Sequence, residues 1–112
     1  EDVVLWGTGK PKREFLHVDD LANTVVFALE NKLEESLYNV GSGSEIFIKE
    51  LAELIQKITG HKGNIIWDKT KPDGTPRKLM NSSKLNKLGW FPKIDLVKGI
   101  IGTHQTYISK VE

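Results

Sequence analysis

The sequence contains no cysteine among its 112 residues. Disulfides, thiolate metal sites and thiol nucleophiles are therefore excluded within this chain. No apolar run approaches the roughly 20 residues that a membrane-spanning helix needs, and no segment resembles a signal peptide. These absences predict a soluble protein of the cytoplasm.

The residue combinations that enzymes use for catalysis are also missing. The three histidines, His17, His61 and His104, stand too far apart for metal-ligand spacing. Neither tyrosine of the chain is followed four residues later by a lysine, which is the pairing that short-chain reductases use. We therefore predict no catalytic residue and no metal ligand here. His17 is expected to be structural, near the start of a helix.

Two glycine-containing loops fall short of nucleotide-binding motifs. Residues 41–46 have the first two glycines of a dinucleotide fingerprint, but Ile46 occupies the place of the third. Residues 7–10 read Gly-Thr-Gly-Lys, yet Pro11 follows where a phosphate loop needs serine or threonine. We interpret both segments as glycine turns, and we predict that this chain binds no cofactor.

Length and charge set further limits. A chain of 112 residues forms one domain at most, and its net charge of +1 argues against a dedicated nucleic-acid binder. Residues 57–87 nevertheless hold eight lysines and arginines against two acids, whereas the rest holds eight against thirteen. Such a basic segment attracts a small anion. The alternative, which we favour for most of these lysines, is a solvated face.

The centre of this basic segment is a shaped loop over residues 69–78. It carries four cations around a Pro-Asp-Gly turn, with the carboxylate of Asp73 at its tip. Pro72 fixes φ at the entry of the turn and Gly74 tolerates the conformation at its exit. Cations and one carboxylate on a rigid loop suit a ligand with phosphates and hydrogen-bond donors. Nucleotide-sugars fit this description.

Hydrophobic periodicity predicts alternating strands and helices. Strands are expected over residues 3–6, 13–17, 37–40 and 64–67. Helices are expected over residues 18–31, from Ile48 to a stop at Gly60, from a Ser82 or Ser83 cap through Leu88, and after an Asp95 cap. The order indicates an α/β protein. Because the strands are too few for a complete doubly wound sheet, we expect a portion of something larger.

Four motifs together carry a family resemblance. They are VLWGTGKPKREFLHVDDL at residues 4–21, YNVGSG at 38–43, KPDGTPRK at 71–78 and LGW at 88–90. The first, second and fourth are similar to those of extended short-chain dehydrogenase/reductases that act on nucleotide-sugars, including UDP-sugar epimerases and dTDP-sugar reductases. The first and third together resemble, more narrowly, the GDP-L-fucose synthase family. The resemblance covers essentially the whole chain.

This resemblance implies an NADP-dependent enzyme that epimerises GDP-4-keto-6-deoxy-mannose at C3 and C5 and then reduces C4. It implies that residues 1–112 form the C-terminal substrate-binding domain, with the Rossmann cofactor domain and the catalytic residues absent from this chain. The piece alone is then expected to be inactive. A parent homodimer, assembled through the missing N-terminal part, is implied as well.

The family's substrate contacts map onto Trp6, Arg13, Asp73 and Lys78. The guanidinium fork of Arg13 suits a pair of diphosphate oxygens, and Lys78 would add a point charge to the same group. The alternative for Arg13 is an ion pair with Asp19 or Asp20 at the helix start, and for Lys78 it is plain solvation. The two adjacent aspartates are expected to hold that helix start.

The carboxylate of Asp73 can accept hydrogen bonds from the ring N–H and amino group of guanine, or from ribose hydroxyls. Leaving such donors unpaired costs about 1–3 kcal/mol, enough to reject a base that lacks them. The alternative for Asp73 is turn formation. The Trp6 ring would line the pocket. Its alternative is a core position, which we favour for Trp67 and Trp90.

Two rival functions stay open. The chain can be the substrate domain of another nucleotide-sugar epimerase or reductase, which a preference for UDP or dTDP over GDP would reveal. It can also be a stand-alone, non-catalytic α/β binding module. Nucleic-acid binding is disfavoured, because among the cations of residues 57–87 the only aromatic side chain is Trp67.

Overall fold

Two small sheets and four helices make up residues 1–111, the part of the chain that a computed structural model describes. In chain order the elements are β1 (Val3–Trp6), β2 (Lys12–Glu14), α1 (Val18–Glu30), β3 (Glu45–Phe47), α2 (Ile48–Thr59), β4 (Ile65–Asp68), β5 (Arg77–Lys78), α3 (Ser83–Lys87) and α4 (Leu96–Val111). Helices and strands alternate along much of the chain, which confirms the predicted α/β class.

Two loops connect the two sheets of the structure. In the first sheet, β1 and β4 pair in parallel, with Val3 opposite Ile65. In the second sheet, β2 is central, with β3 antiparallel on one side and β5 parallel on the other. The loop after β1 therefore leads into β2, and the loop after β4 leads into β5.

The helices begin and end close to their predicted positions. The Nδ1 atom of His17 accepts a hydrogen bond from the Asp19 N–H at 3.0 Å, so His17 caps α1 and its structural role is confirmed. Gly60 ends α2 in the left-handed conformation, with φ of +72°. The carboxylate of Asp95 accepts a hydrogen bond from the Lys98 N–H at 2.8 Å, as expected of the cap of α4.

Four strand assignments differ from the prediction. The strand predicted over residues 37–40 is wrong, because this segment pairs with no other strand within residues 1–111. Strand β3 lies further along the chain instead, and its three residues are too few for an alternation of polar and apolar side chains to be recognised. Part of the loop predicted over residues 69–78 is strand β5, which exists only through its pairing with β2. The strand predicted over residues 13–17 is shorter, at Lys12–Glu14.

The buried apolar core is very small. Within the described residues, only Leu85 and Trp90 are buried hydrophobic side chains. Trp90 is therefore a core residue, as predicted, whereas Trp67 is half-buried. Much of the apolar surface of α1 remains exposed, and Leu29 is 82% accessible.

The prediction that both aspartates hold the start of α1 is wrong for Asp20. This residue is 1% exposed, and its two carboxylate oxygens accept hydrogen bonds from the N–H groups of Lys93 and Ile94, each at 3.0 Å. A buried carboxylate needs such partners, because water cannot supply them. Asp20 thereby fixes the segment that leads into α4.

Within residues 1–111, no helix combines the length and apolar character needed to cross a bilayer.

Candidate functional site

Two loops, residues 7–11 and residues 69–76, lie side by side. The Thr8 N–H donates to Oδ1 of Asp73 at 2.6 Å, and the Thr8 hydroxyl donates to Oδ2 at 2.7 Å. Further along both loops, the Lys12 N–H donates to the carbonyl of Pro76 at 2.9 Å. Strands β2 and β5, which follow these loops, therefore begin side by side.

Two glycines allow this close approach. Gly7 has φ of +92°, and a Cβ atom there would collide with the Asp73 carboxylate. Gly9 has φ of +78°, and a Cβ atom there would collide with the ring of Trp67. Left-handed backbone conformations of this kind favour glycine. The Gly-Thr-Gly sequence is thus used for loop packing.

The two hydrogen bonds from Thr8 change the acidity of Asp73. The bond from the Thr8 N–H lowers the pKa of Asp73 most, followed by the bond from its hydroxyl, while partial desolvation opposes them and Lys10 adds a smaller lowering effect. Asp73 is therefore a carboxylate at neutral pH. Both of its oxygens already have a donor, so the residue links two loops rather than only shaping its own turn.

Arg13 and Lys78 are direct neighbours across the strand pair. They are register partners of β2 and β5, whose axes lie about 4.8 Å apart, and in-register side chains share one face of a sheet. Among residues 1–111, neither cation forms an ion pair with a carboxylate. Like charges directly opposite each other are destabilising unless an anion lies between them.

The cations on the opposite face have partners. The Nε atom of Arg77 lies 2.6 Å from Oε1 of Glu45. The Nζ atom of Lys12 lies 4.7 Å from the ring centroid of Phe47, a cation–π contact. The contrast between the two faces marks the Arg13–Lys78 face as the one with an unneutralised pair of charges.

The alternative partners considered for Arg13 are not used. Its Nη1 atom donates to the carbonyl of Lys12 at 2.7 Å, which leaves the other guanidinium donors available. Asp20 binds the segment before α4, and the Asp19 carboxylate lies 3.9 Å from Nδ1 of His17 rather than beside Arg13. The ion pair of Arg13 with an aspartate at the helix start is therefore ruled out in this structure.

Trp6 lies at the end of β1 and is 70% exposed, so the core position considered for it is not observed within residues 1–111. The Nζ atom of Lys71 lies 5.2 Å from its ring centroid. The loop over residues 69–76 thus contacts Trp6 as well as Thr8. All four predicted site residues lie on the two adjoining loops and the strands beside them.

Glu14 is a residue of this region that the sequence interpretation missed. Its Oε1 atom accepts a hydrogen bond from the Met80 N–H at 2.8 Å, and its Oε2 atom accepts one from the Gly43 N–H at 3.1 Å. The turn at residues 41–43 and the chain after β5 are therefore both tied to β2. Both partners lie far away in the sequence, so no local pattern of the strand indicates them.

Comparison with known proteins shows what the chain is similar to. Residues 1–41 match the model of the NAD dependent epimerase/dehydratase family. The chain is 54% identical over 110 residues to "Probable GDP-L-fucose synthase 1" of Oryza sativa subsp. japonica, which covers 98% of this chain and 34% of that protein. The chain spans about a third of the length of the curated relatives it matches.

Solved structures show the same arrangement. A GDP-L-fucose synthetase from Naegleria fowleri superposes with a TM-score of 0.91 at 26% identity, covering 98% of this chain and 34% of that one. A GDP-6-OMe-4-keto-L-xylo-heptose reductase from C. jejuni superposes with a TM-score of 0.88 at 36% identity, with the same coverage.

The fold and these matches define part of an extended short-chain dehydrogenase/reductase, and residues 1–41 resemble the NAD dependent epimerase/dehydratase family. This confirms the fold class and the resemblance that the four motifs carry. Within the family, the particular likeness is to the GDP-L-fucose synthases, which the chain matches over nearly its whole length.

The family is NAD(P)-dependent, but the described residues do not fit a dinucleotide. Pyrophosphate binding in such enzymes uses free N–H groups where a helix follows a glycine turn. The turn at residues 41–43 leads instead into strand β3. At the start of α2, the N–H groups of Ile48 and Lys49 already donate to the carbonyls of Pro11 and Gly9. Within residues 1–111, no group of histidine and acidic side chains is placed to hold a metal ion.

Proposed function

We propose that the chain binds the diphosphate of a GDP-sugar through Arg13 and Lys78. The observation that carries this proposal is the pair of cations, in register on adjacent strands and without a carboxylate partner among residues 1–111. The guanidinium of Arg13 supplies parallel donors for two phosphate oxygens, and the ammonium of Lys78 supplies a compact charge. Trp6 lines the nucleotide-sugar pocket, and Asp73 belongs to the same site.

The activity that fits best is that of an NADP-dependent GDP-L-fucose synthase, which converts GDP-4-keto-6-deoxy-mannose by 3,5-epimerisation and 4-reduction. The likeness to proteins of that name over nearly the whole chain supports it. In this proposal, residues 1–112 are the C-terminal substrate-binding domain. NADP binding, the catalytic residues and the homodimer contacts lie in a Rossmann domain outside this chain, and the chain alone is inactive.

The distribution of apolar surface supports the existence of such a second domain. Val18, Val25 and Leu29 lie on α1 with about half or more of their surface accessible. Leu37 starts the unpaired segment 37–40 and is also exposed. Several large apolar side chains exposed along one helix are typical of a site of protein contact.

Nucleotide binding by single-residue variants tests the proposal. We expect GDP to bind the chain more tightly than UDP, and Lys78→Ala to weaken GDP binding about tenfold, the effect of losing one charge-assisted hydrogen bond. The matched control is Lys87→Ala, which removes an exposed cation of α3 away from the strand pair and should leave GDP affinity unchanged. Equal losses in both variants would show that only general positive charge matters.

A second candidate is the reduction of a different GDP-sugar. The 36% identity and TM-score of 0.88 to the C. jejuni heptose reductase favour it, because that protein is named for a GDP-heptose. The Arg13–Lys78 pair would serve either sugar equally, since it addresses the diphosphate. Competition between GDP-fucose and GDP-heptose for the site of the intact enzyme distinguishes the two, and displacement of GDP by the heptose compound alone would favour the second candidate.

A further inference from the structure

The link between Thr8 and Asp73 joins residues that lie 65 positions apart in the chain. Every residue from 69 to 80 is exposed, so no buried apolar side chain holds this loop in place. Its attachment depends on polar contacts. The two short bonds to Asp73 come before β5, the ion pair of Arg77 with Glu45 lies within it, and the bond from the Met80 N–H to Glu14 comes after it.

Strand β5 has little intrinsic reason to stay on β2. It contains two residues, and a ladder this short is marginal without further support. The pairing also brings Lys78 beside Arg13, and repulsion between like charges opposes it. Something outside the ladder must therefore hold the two strands together when no anion lies between the cations.

We propose that Asp73 is a positioning residue, whose bonds to Thr8 hold β5 against β2 and thereby keep Lys78 beside Arg13. This assigns to Asp73 a role different from reading guanine, because each of its oxygens already accepts a hydrogen bond from Thr8. The role exists without nucleotide, so it does not depend on the proposed function.

The Lys12 amide reports directly on this attachment, since it donates to the Pro76 carbonyl immediately before β5. Hydrogen exchange of that amide, followed by NMR on the full chain, is the test. We expect Asp73→Ala to accelerate its exchange at least tenfold and Thr8→Val to accelerate it severalfold, while Thr8→Ser restores the original rate. The Trp90 amide, which donates to the Leu85 carbonyl in the core, should keep its rate.

Thr70→Val is the matched control. The Thr70 hydroxyl donates to Oδ1 of Asp68 at 2.5 Å, so this variant loses the same kind of bond in the same loop, but to a residue only two positions away. Its Lys12 amide should exchange at the original rate. An unchanged rate in Thr8→Val and Asp73→Ala, or equal acceleration in Thr70→Val, overturns the proposal. Should Asp73→Ala unfold the chain, the surface variant Thr8→Val decides alone.

A titration with inorganic pyrophosphate separates positioning from direct contact with guanine. Thr8→Val preserves all charges, and if Asp73 acts by positioning, this variant weakens pyrophosphate and GDP by the same factor. If Asp73 binds guanine directly, GDP alone weakens, which contradicts the proposal. A wild-type chain that binds neither ligand would count against the proposed function, whereas the exchange rates would still decide the role of Asp73.

Discussion

Four carboxylates stabilise this structure by accepting hydrogen bonds from distant backbone N–H groups. Asp20 binds the segment before α4, Glu14 binds residues on both sides of β2, Asp73 binds the loop after β1, and Asp2 binds the residue before β4. The partners lie 29 to 74 positions away in the sequence. No local pattern can reveal such pairs, which is why Glu14 was missed and Asp20 was assigned to the helix start.

Replacing Asp20 with asparagine should destabilise the chain by about 1–3 kcal/mol, because an amide group would then face a buried N–H group and leave it without an acceptor. Urea unfolding gives this difference. Asp19→Asn is the control, since the neighbouring side chain is largely exposed and a surface change costs about 0.5 kcal/mol or less. Equal stabilities of the two variants would contradict the role given to Asp20.

The link between Thr8 and Asp73 should respond to acid in a defined direction. Because these bonds lower the pKa of Asp73 in the folded chain, their contribution to stability is complete above the ordinary pKa of an aspartate and is lost as the pH falls through the lowered value. The Thr8 amide shift should therefore titrate below the ordinary aspartate pKa. Thr8→Val should raise the midpoint for Asp73, and a midpoint at the ordinary value in the wild type would argue against the link.

At the scale of elements, the sequence predicted the helices that carry local signals. It did not predict the strands that form only by pairing with a neighbouring strand. The apolar periodicity, the stop at Gly60 and the cap at Asp95 predicted α1, α2 and α4 closely, and the cap at His17 was found only in the structure. Strands β3 and β5 are too short for alternation to be visible, and they exist because β2 lies between them. The segment 37–40 shows the converse, since a good strand sequence forms no ladder without a neighbour.

Substitution by alanine should change the stability in opposite directions at Gly60, which ends α2, and at Gly102, which lies within α4. Gly60 has positive φ with open space around it, so Gly60→Ala should cost about 1–2 kcal/mol from the backbone alone. Gly102 lies within α4, also with open space, and Gly102→Ala should stabilise the chain by about 0.5–1 kcal/mol. Denaturant midpoints of both variants check this, and a shift in the same direction would contradict the assigned helix end.

The molecule as a whole is flat and extended rather than compact. Its radius of gyration is 16.9 Å, against about 13 Å for a compact domain of this size, and its extents are 51 × 36 × 16 Å. The small number of strands in the sequence predicted a portion of something larger, but not this shape. The sequence could not show which surfaces stay uncovered, because an apolar helical stripe looks the same whether its partner lies inside or outside the chain.

The exposed face of α1 should contribute little to the stability of this chain. We expect Leu29→Lys to change the free energy of unfolding by about 0.5 kcal/mol or less, because Leu29 is already largely in water. Leu85→Ala should cost about 2–5 kcal/mol, since Leu85 is fully buried. Chemical denaturation compares the two. A large loss in Leu29→Lys would mean that α1 packs within the chain.

The most direct test of the anion site is the side-chain NMR signal of Arg13 during addition of inorganic pyrophosphate. We expect the Arg13 Nε–H resonance to shift saturably, with the Lys78 ammonium shifting alongside it. The Nε–H of Arg77, bound to Glu45 on the other face, should stay in place. A shift at Arg77 with none at Arg13 would contradict the claim that the Arg13–Lys78 pair receives the diphosphate.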